Sequence, residues 1–254
     1  WLINLGAEVI GYSLDIPSEP SLFDDIKIAE KITDIRGDVR DLNNFRKVLN
    51  YHNPEVIFHL AAQPIVRSSY DDPVETFTTN AIGSLNILEA VRNSESVKSL
   101  VMITSDKAYR NVEWIWGYKE NDQLGGEDPY SSSKGCAELI FYSYTNSFFK
   151  DNEIPIKLST ARAGNVIGGG DWAKDRIVPD IVRSFSKNEI LSIRAPNATR
   201  PWQHVLEPLS GYLTLAQMQI RKDEINHESF NFGPRQDVNQ NVLRLVEEFS
   251  KYWD

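Results

Sequence analysis

The chain has 254 residues and a formal charge of −9 at pH 7. With 41% hydrophobic and 25% charged residues, it can bury one large core or two smaller ones, so disorder is a poor default. The acidic balance argues against nucleic acid as a partner, because a negative field repels the phosphate backbone. The single cysteine, Cys136, excludes an internal disulfide and fits the cytoplasm, where we expect the protein to be.

The two ends of the sequence carry different signals. Residues 1–6 are typical of the last turn of a helix that a glycine stops, and no stop signal follows the last helical segment. We therefore expect a strand and a turn before Trp1, and further residues after Asp254. No window approaches the ~18 consecutive apolar residues of a membrane-spanning helix, so we expect no membrane partner.

Short apolar segments alternate with helical segments over the first 164 residues. Strands are predicted at 8–12, 32–35, 56–60, 99–104 and 156–161, and helices at 42–51, 81–93 and 131–149. Parallel strands need crossover connections, so this alternation predicts an α/β fold with a Rossmann-type, doubly wound parallel sheet.

The pattern changes after Gly164. Glycines 168–170 and several prolines interrupt the alternation there: Pro179, Pro196, Pro201 and Pro208. Helices are predicted at 207–220 and 239–252, around a short strand at 230–232. We expect a first domain over 1–164 and a smaller substrate domain over 165–254, partly interleaved with the first and incomplete.

Ligands of an open parallel sheet bind beyond the carboxyl ends of its strands. The segments there are Asp15, Asp38, 59–63, 104–107 and 162–165. An acidic residue after the second strand of such a fold hydrogen-bonds the ribose 2′-hydroxyl of NAD and repels the extra phosphate of NADP, so Asp15 favours NAD. A turn aspartate before Pro17 explains Asp15 equally well.

Tyr130 and Lys134 are four residues apart, which places both on one face of a helix. The lysine charge is expected to lower the tyrosine pKa from ~10 and make Tyr130 a base. The spacing alone is a weak signal. Together with the hydroxyl of Ser105, at the end of an earlier predicted strand, it forms the Ser, Tyr and Lys set of a hydride-transfer site.

Longer motifs carry a resemblance to a known family. Segments 37–41, 59–63, 80–83 and 130–134 are similar to the extended short-chain dehydrogenase/reductase superfamily. Segments 104–107, 116–118, 128–131, 163–172 and 200–205 resemble, more narrowly, the CDP-glucose 4,6-dehydratases. The resemblance spans the sequence, except that the family's glycine-rich phosphate loop is not among these residues. We therefore expect these residues alone to bind NAD poorly.

The resemblance implies NAD as cofactor and CDP-glucose as substrate. The implied cofactor contacts are Asp15, Asp38, Val39, Leu60, Ala61, Ala62, Gln63, Asn80, Thr104, Tyr130 and Lys134. Tyr130 and Ser105 would act at the sugar 4-hydroxyl. Asp106 would be the acid at the 6-hydroxyl and Lys107 the base at C5, giving a CDP-4-keto-6-deoxyglucose.

Candidate ligands of the substrate's phosphates or hydroxyls are Asn165, Arg176, Arg200 and Arg235. Arg176 and Arg235 could equally be solvated. Four scattered histidines without a ligand motif predict no metal site. An epimerase or a dehydratase for another nucleotide sugar stays open, as does a non-catalytic nucleotide-binding module. We expect a homo-oligomer.

Overall fold

The computed structural model describes residues 1–150, 155–221, 225–235 and 240–253. Its α-helices are α1 (Leu22–Asp25), α2 (Leu42–His52), α3 (Val66–Asp71), α4 (Pro73–Phe77), α5 (Gly83–Val91), α6 (Pro129–Tyr144), α7 (Ile177–Ser186), α8 (Leu206–Ile220) and α9 (Val242–Ser250). Its strands are β1 (Ile10–Ser13), β2 (Thr33–Arg36), β3 (Val56–His59), β4 (Ser99–Ile103), β5 (Lys157–Ala163), β6 (Val166–Ile167), β7 (Thr199–Arg200), β8 (Gln203–His204), β9 (Glu228–Phe232) and β10 (Gln240–Asn241). Short 3₁₀ and π turns join several of them.

The main sheet is parallel, in the order β3-β4-β5-β9, and β1 and β2 form a second parallel pair. This arrangement confirms the predicted α/β class. The first five predicted strands all form, with ends that shift by one or two residues. Parallel order places the carboxyl ends of β3, β4 and β5 at one edge of the sheet.

Helices cover both faces of the main sheet. Leu100 and Met102 of β4 pack into a core cluster with helices α2, α5 and α6. Val101, between them, packs on the opposite face against Leu215 and Ala216 of α8. All three β4 side chains are at most 1% exposed. Burying a side chain of this kind contributes about 1.5–3 kcal/mol, so β4 is a rigid support for the residues that follow it.

Elements from the second half of the chain join this sheet. The strand β9 pairs with β5 in parallel, and α8 packs against β4 and β5. The predicted strand at 230–232 is thus real and begins at Glu228. The division into domains at residue 164 stays a prediction.

A cavity of about 1140 Å³ lies between the β1-β2 pair and the main sheet. It is lined by Ile10–Tyr12 on the β1 side, by Val56–Phe58 on the β3 side and by residues of α8. Within the described residues, β1 pairs with β2 and β3 pairs with β4. One edge of each sheet therefore borders the same cavity.

Two of the prolines do not interrupt regular structure. Pro179 lies in the first turn of α7 and Pro208 in the first turn of α8. Proline is accepted there because the first amide groups of a helix lack an intrahelical partner. The sequence did not predict α7, because Pro179 was taken as a residue that interrupts regular structure. Residue 239, where a helix was predicted to begin, lies outside the described residues, and α9 begins at Val242.

None of the helices in the described ranges combines the length and the apolar character that a bilayer crossing requires.

Candidate active site

The chain turns sharply at the carboxyl end of β4. Ser105 caps a 3₁₀ turn at Asp106–Ala108, and its hydroxyl accepts a hydrogen bond from the Lys107 amide at 3.2 Å. The same hydroxyl donates to the Asp106 carboxylate at 3.0 Å. Ser105 is buried, whereas Asp106 and Lys107 are half-buried. A hydroxyl, a carboxylate and an ammonium thus follow one another at the edge where parallel sheets bind ligands.

Helix α6 brings Tyr130 to this edge. Asp128 accepts a hydrogen bond from the Ser131 amide at 2.9 Å, and Pro129 occupies the first helical position, so the helix start is well defined. Tyr130 is therefore in the first turn, close enough to Ser105 for that hydroxyl to lower its pKa. Lys134 lies one turn further along the helix and is buried. The structure thus places Tyr130 beside Ser105, with Lys134 one helical turn behind them.

The pKa of Tyr130 differs from the sequence-based expectation. Burial raises it above the ordinary value of 10.0 and outweighs the lowering by the hydrogen bond to Ser105. Asp106 raises it further, and Arg176 lowers it. The expectation of a lowered pKa is wrong for the protein in this state, because a buried phenolate loses more solvation than its neighbours restore.

Lys134 and His59 form a buried pair of basic groups. Burial lowers the pKa of Lys134 to about 8, although the charge of Glu138 raises it in part. Burial and the charge of Lys134 lower the pKa of His59 to about 3. The imidazole is therefore neutral, and its Nε2 lies 3.1 Å from the hydroxyl of Ser84. No group of three or more His, Cys, Asp or Glu side chains in the described ranges could hold a metal ion.

Gly164, after β5, lets another segment approach Asp106. A Cβ atom at this position would lie 2.7 Å from Cγ of Pro201 and 3.7 Å from Oδ2 of Asp106. The carbonyl of Asn165 then accepts a hydrogen bond from the Gln203 amide at 3.1 Å. The predicted segments 163–165 and 200–203 therefore meet beside Asp106.

The three predicted arginines lie in different surroundings. Arg176 precedes α7, pairs with Asp171 at 2.9 Å and influences the pKa of Tyr130. Arg200 is half-buried and donates to the Thr199 carbonyl at 2.7 Å. Arg235 is exposed after β9. Of these three arginines, Arg176 is the one whose charge lowers the pKa of Tyr130.

The predicted cofactor residues nearest β1 and β2 are Asp15, Asp38 and Val39. Asp15 is exposed, two residues after β1. Asp38 pairs with Arg40 at 2.6 Å, and this hydrogen bonding lowers its pKa. Val39 is buried in the core. Asp15 therefore has a side chain open to a ligand, whereas the Asp38 carboxylate already has a cationic partner.

Several predicted cofactor residues use their side chains within the protein. Asn80, in a π turn at Thr78–Ile82, accepts from the Gln63 amide at 2.8 Å and donates to the hydroxyl of Ser133 at 2.8 Å. The Gln63 side chain donates to Thr76 at 2.8 Å, and the Thr104 hydroxyl donates to Glu138. Leu60 is exposed, and Ala61 and Ala62 are half-buried. Their roles at a cofactor site remain predictions.

The sequence reading missed a buried ion pair behind Lys134. Arg162 of β5 donates to the Glu138 carboxylate of α6 at 2.7 Å, and these side chains are 4% and 1% exposed. Glu138 stands four residues after Lys134, which repeats the interval from Tyr130 to Lys134. That repeated spacing was the available signal.

Comparison with known proteins places the chain in a family. The family model for GDP-mannose 4,6 dehydratase matches residues 2–251. CDP-glucose 4,6-dehydratase of Salmonella typhimurium is 48% identical over 256 residues, which cover 100% of this chain and 71% of the relative. CDP-paratose 2-epimerase of Salmonella typhi is 31% identical over 235 residues, 85% of this chain and 67% of the relative.

A solved structure shares the fold. A double mutant of dTDP-glucose 4,6-dehydratase from Streptomyces venezuelae, with NAD bound, has a TM-score of 0.82 at 18% identity and covers 100% of this chain and 76% of its own. Because the family model extends over almost every residue, the chain belongs to the GDP-mannose 4,6-dehydratase family.

Proposed function

We propose that this protein is an NAD-dependent hydro-lyase that converts CDP-glucose to CDP-4-keto-6-deoxyglucose. The observation that carries the proposal is the meeting of Ser105, Asp106 and Tyr130 at the end of β4, with Lys134 one turn behind Tyr130. The 48% identity to CDP-glucose 4,6-dehydratase supports the same substrate and product.

Lys134 supports a dinucleotide at this site. Its side chain is 6% exposed. An ammonium group has three donors, and the ribose hydroxyls of NAD would supply acceptors for them. The chemistry that NAD supplies is the removal of hydride from C4 and its return to C6. Asp15, exposed beyond β1, is proposed to bond the adenosine ribose.

Tyr130 is proposed as the base that takes the proton of the sugar 4-hydroxyl, with Ser105 bonded to the same oxygen. Because burial raises the pKa of Tyr130, its phenolate needs cationic support. We assign this support to Lys134 and Arg176. Lys134 is protonated below about pH 8, which sets the range in which that support is available.

Asp106 is proposed as the acid for the elimination step and Lys107 as the base. Lys107 removes the C5 proton, the C6 hydroxyl leaves as water with a proton from Asp106, and a C5–C6 double bond forms. The half-buried Asp106 carboxylate is held by Ser105 at 3.0 Å, which orients it at the site. Lys107 could instead act by stabilising the enolate charge, a role that needs no proton loss.

The remaining assignments are proposals of the same kind. We assign NAD binding to residues 1–164 and substrate binding to 165–254, with Asn165, Arg176, Arg200 and Arg235 as ligands of the nucleotide sugar. We place the enzyme in the cytoplasm as a homo-oligomer. Exposed apolar side chains on α6 support self-association: Leu139 is 57% and Tyr142 is 68% exposed.

The test is turnover by full-length protein with CDP-, dTDP-, UDP- and GDP-glucose. A 4-keto-6-deoxy product, which absorbs after alkali, supports the proposal when CDP-glucose is preferred. An epimerised sugar without that absorbance supports the second candidate, an epimerase, which the 31% identity to CDP-paratose 2-epimerase favours. If the protein binds a nucleotide but turns over none of these sugars, it is a non-catalytic nucleotide-binding module.

A further inference from the structure

The carboxylate of Glu138 is the hub of a buried polar cluster behind the active site. Its Oε2 accepts hydrogen bonds from Arg162 at 2.7 Å, Thr160 at 3.0 Å and Ser229 at 3.1 Å. Its Oε1 accepts one from the hydroxyl of Thr104. These partners belong to β5, β9 and the residue after β4. One side chain of α6 is thus tied to three neighbouring strands.

Stability alone does not account for this arrangement. A buried ion pair costs several kcal/mol of desolvation per ion, and apolar residues of similar volume often stabilise a protein as well or better. Glu138 and Arg162 are also no ligands for the proposed substrate, because they are 1% and 4% exposed. Their charges can still act on Lys134, which lies one helical turn away and is buried.

We propose that Glu138, held by Arg162, is a positioning residue whose negative charge supports the Lys134 ammonium one turn earlier on α6. Tyr130, Lys134 and Glu138 follow at four-residue intervals and therefore lie on one face of α6. The inference rests on the proposed function, because it assigns Glu138 a part in supporting the Tyr130 phenolate. Glu138 itself touches no reacting atom.

The charged groups around Lys134 come from several elements. On α6, Glu138 is an anion and Tyr130 is neutral in its resting form. His59 faces Lys134 from β3 and is neutral, since its pKa is about 3. Arg162 of β5 is a cation on the far side of Glu138. Glu138 is thus the carboxylate that offsets the burial of Lys134, which agrees with its upward effect on the pKa of that lysine.

Two substitutions separate charge from shape. Glu138→Gln keeps the length and one acceptor oxygen but removes the charge, so the pKa of Lys134 should fall. The alkaline limb of NADH formation in a single turnover should then move to lower pH, with about a tenfold loss near pH 8 and a smaller loss at pH 6.5. Glu138→Asp keeps the charge and shortens the side chain. This variant should lower the rate of NADH formation but leave the pH of its alkaline limb unchanged.

A second readout needs no cofactor. Lys134 titrates at about 8 when folded and at ~10.4 when unfolded, so between these values the unfolded chain binds more protons and the contribution of Lys134 to stability rises with pH. In Glu138→Gln this rise should begin at a lower pH, as measured by urea unfolding from pH 6 to 10. Glu247→Gln is the matched control, because Glu247 is exposed and pairs with Arg244, which does not titrate between pH 6 and 10. It should leave the curve's shape unchanged.

The outcomes keep this inference apart from the proposed function. No turnover by the wild type would contradict the function, while the unfolding curves would still test the link from Glu138 to Lys134. The inference would be overturned if the wild type turns over substrate but Glu138→Gln leaves both the alkaline limb of NADH formation and the unfolding curve unchanged. That result would show that Glu138 is only structural. If Glu138→Gln does not fold, Glu138→Gln combined with Arg162→Gln leaves no unpaired charge in the cluster and should still show the shifted limb.

Discussion

Tyr130 lies close enough to Ser105 for that hydroxyl to influence its pKa, so the first turn of α6 lies against the segment that follows β4. The contact matters because each side is anchored separately. Ser105 lies two residues after a strand whose first four side chains are buried, and the start of α6 is defined by the Asp128 cap. Both hydroxyls can therefore meet one substrate oxygen without a rearrangement, which is the condition for efficient proton transfer.

Replacing Tyr130 by Phe should abolish NADH formation from CDP-glucose by the full-length protein. The 4-hydroxyl proton then has no acceptor, and loss of a general base costs about 10²–10⁴ in rate. Substrate affinity should change little, because the phenol acts in the transition state. Stopped-flow absorbance at 340 nm and calorimetric titration measure the two quantities. Tyr51→Phe, on an exposed position of α2, is the control. A Tyr130→Phe enzyme with near wild-type turnover would remove Tyr130 from the mechanism.

The rate of the oxidation step should fall as the pH rises through about 8, where Lys134 loses its charge. Lys134→Arg tests this reasoning, because a guanidinium stays protonated over the whole accessible range. The variant should be slower, since its side chain is larger, but its alkaline limb should disappear. The pH profile of single-turnover NADH formation gives the answer. If the alkaline limb persists in Lys134→Arg, a group other than Lys134 is responsible for it.

Asp15→Asn should narrow the preference for NAD over NADP. The exposed carboxylate after β1 is placed to repel the 2′-phosphate of NADP, and its neutral amide is not. We expect a gain of about tenfold in the ratio of NADP to NAD affinity, equivalent to ~1.4 kcal/mol. Fluorescence titration of both cofactors measures it, with the exposed Asp25→Asn as control. Equal affinities in the wild type would show that Asp15 is a turn residue.

Asp106→Asn and Lys107→Met should separate oxidation from dehydration. Both variants should form NADH and a 4-keto-glucose nucleotide in a single turnover and then stop. Exchange of the C5 proton with deuterated solvent distinguishes their roles: it should cease in Lys107→Met and continue in Asp106→Asn. If Lys107 only stabilises the enolate, exchange in Lys107→Met should slow rather than stop. Normal dehydration by both variants would instead favour an epimerase.

Replacing Gly164 by Ala should impair the site mainly through Pro201, because the added methyl would make only an ordinary contact with Asp106. The added methyl would lie 2.7 Å from Pro201, so the segment around Arg200 must move away from Asp106. Overpacking of this kind costs about 1–3 kcal/mol of stability. We expect a raised KM for CDP-glucose with an NAD affinity close to that of the wild type. Gly169→Ala is the control, because a methyl there meets no atom within 4 Å. If Gly164→Ala leaves the KM for CDP-glucose unchanged, the 200–203 segment takes no part in substrate binding.

Local patterns in the sequence were sufficient for the fold class and for one part of the site. The alternation of strands and helices, the apolar run of β4 and the spacing of Tyr130 and Lys134 are short-range properties, because helix and strand periods act over a few residues. Prolines were ambiguous at this level. Pro179 and Pro208 look like breakers, yet each stands in a first helical turn, where the missing amide proton costs nothing.

Tertiary structure decided the rest, because burial and contacts between distant residues have no local signature. Thr104 and Gln63 stand at strand ends, where side chains usually face a ligand, but their hydroxyl and amide groups turn inward to Glu138 and Thr76. Burial raises the pKa of Tyr130, opposite to what its lysine neighbour suggested. The sequence by itself determined which residues stand at the end of β4 and on one face of α6. Only the packing of α6 against the sheet decided which of them meet, and how far from water their charges lie.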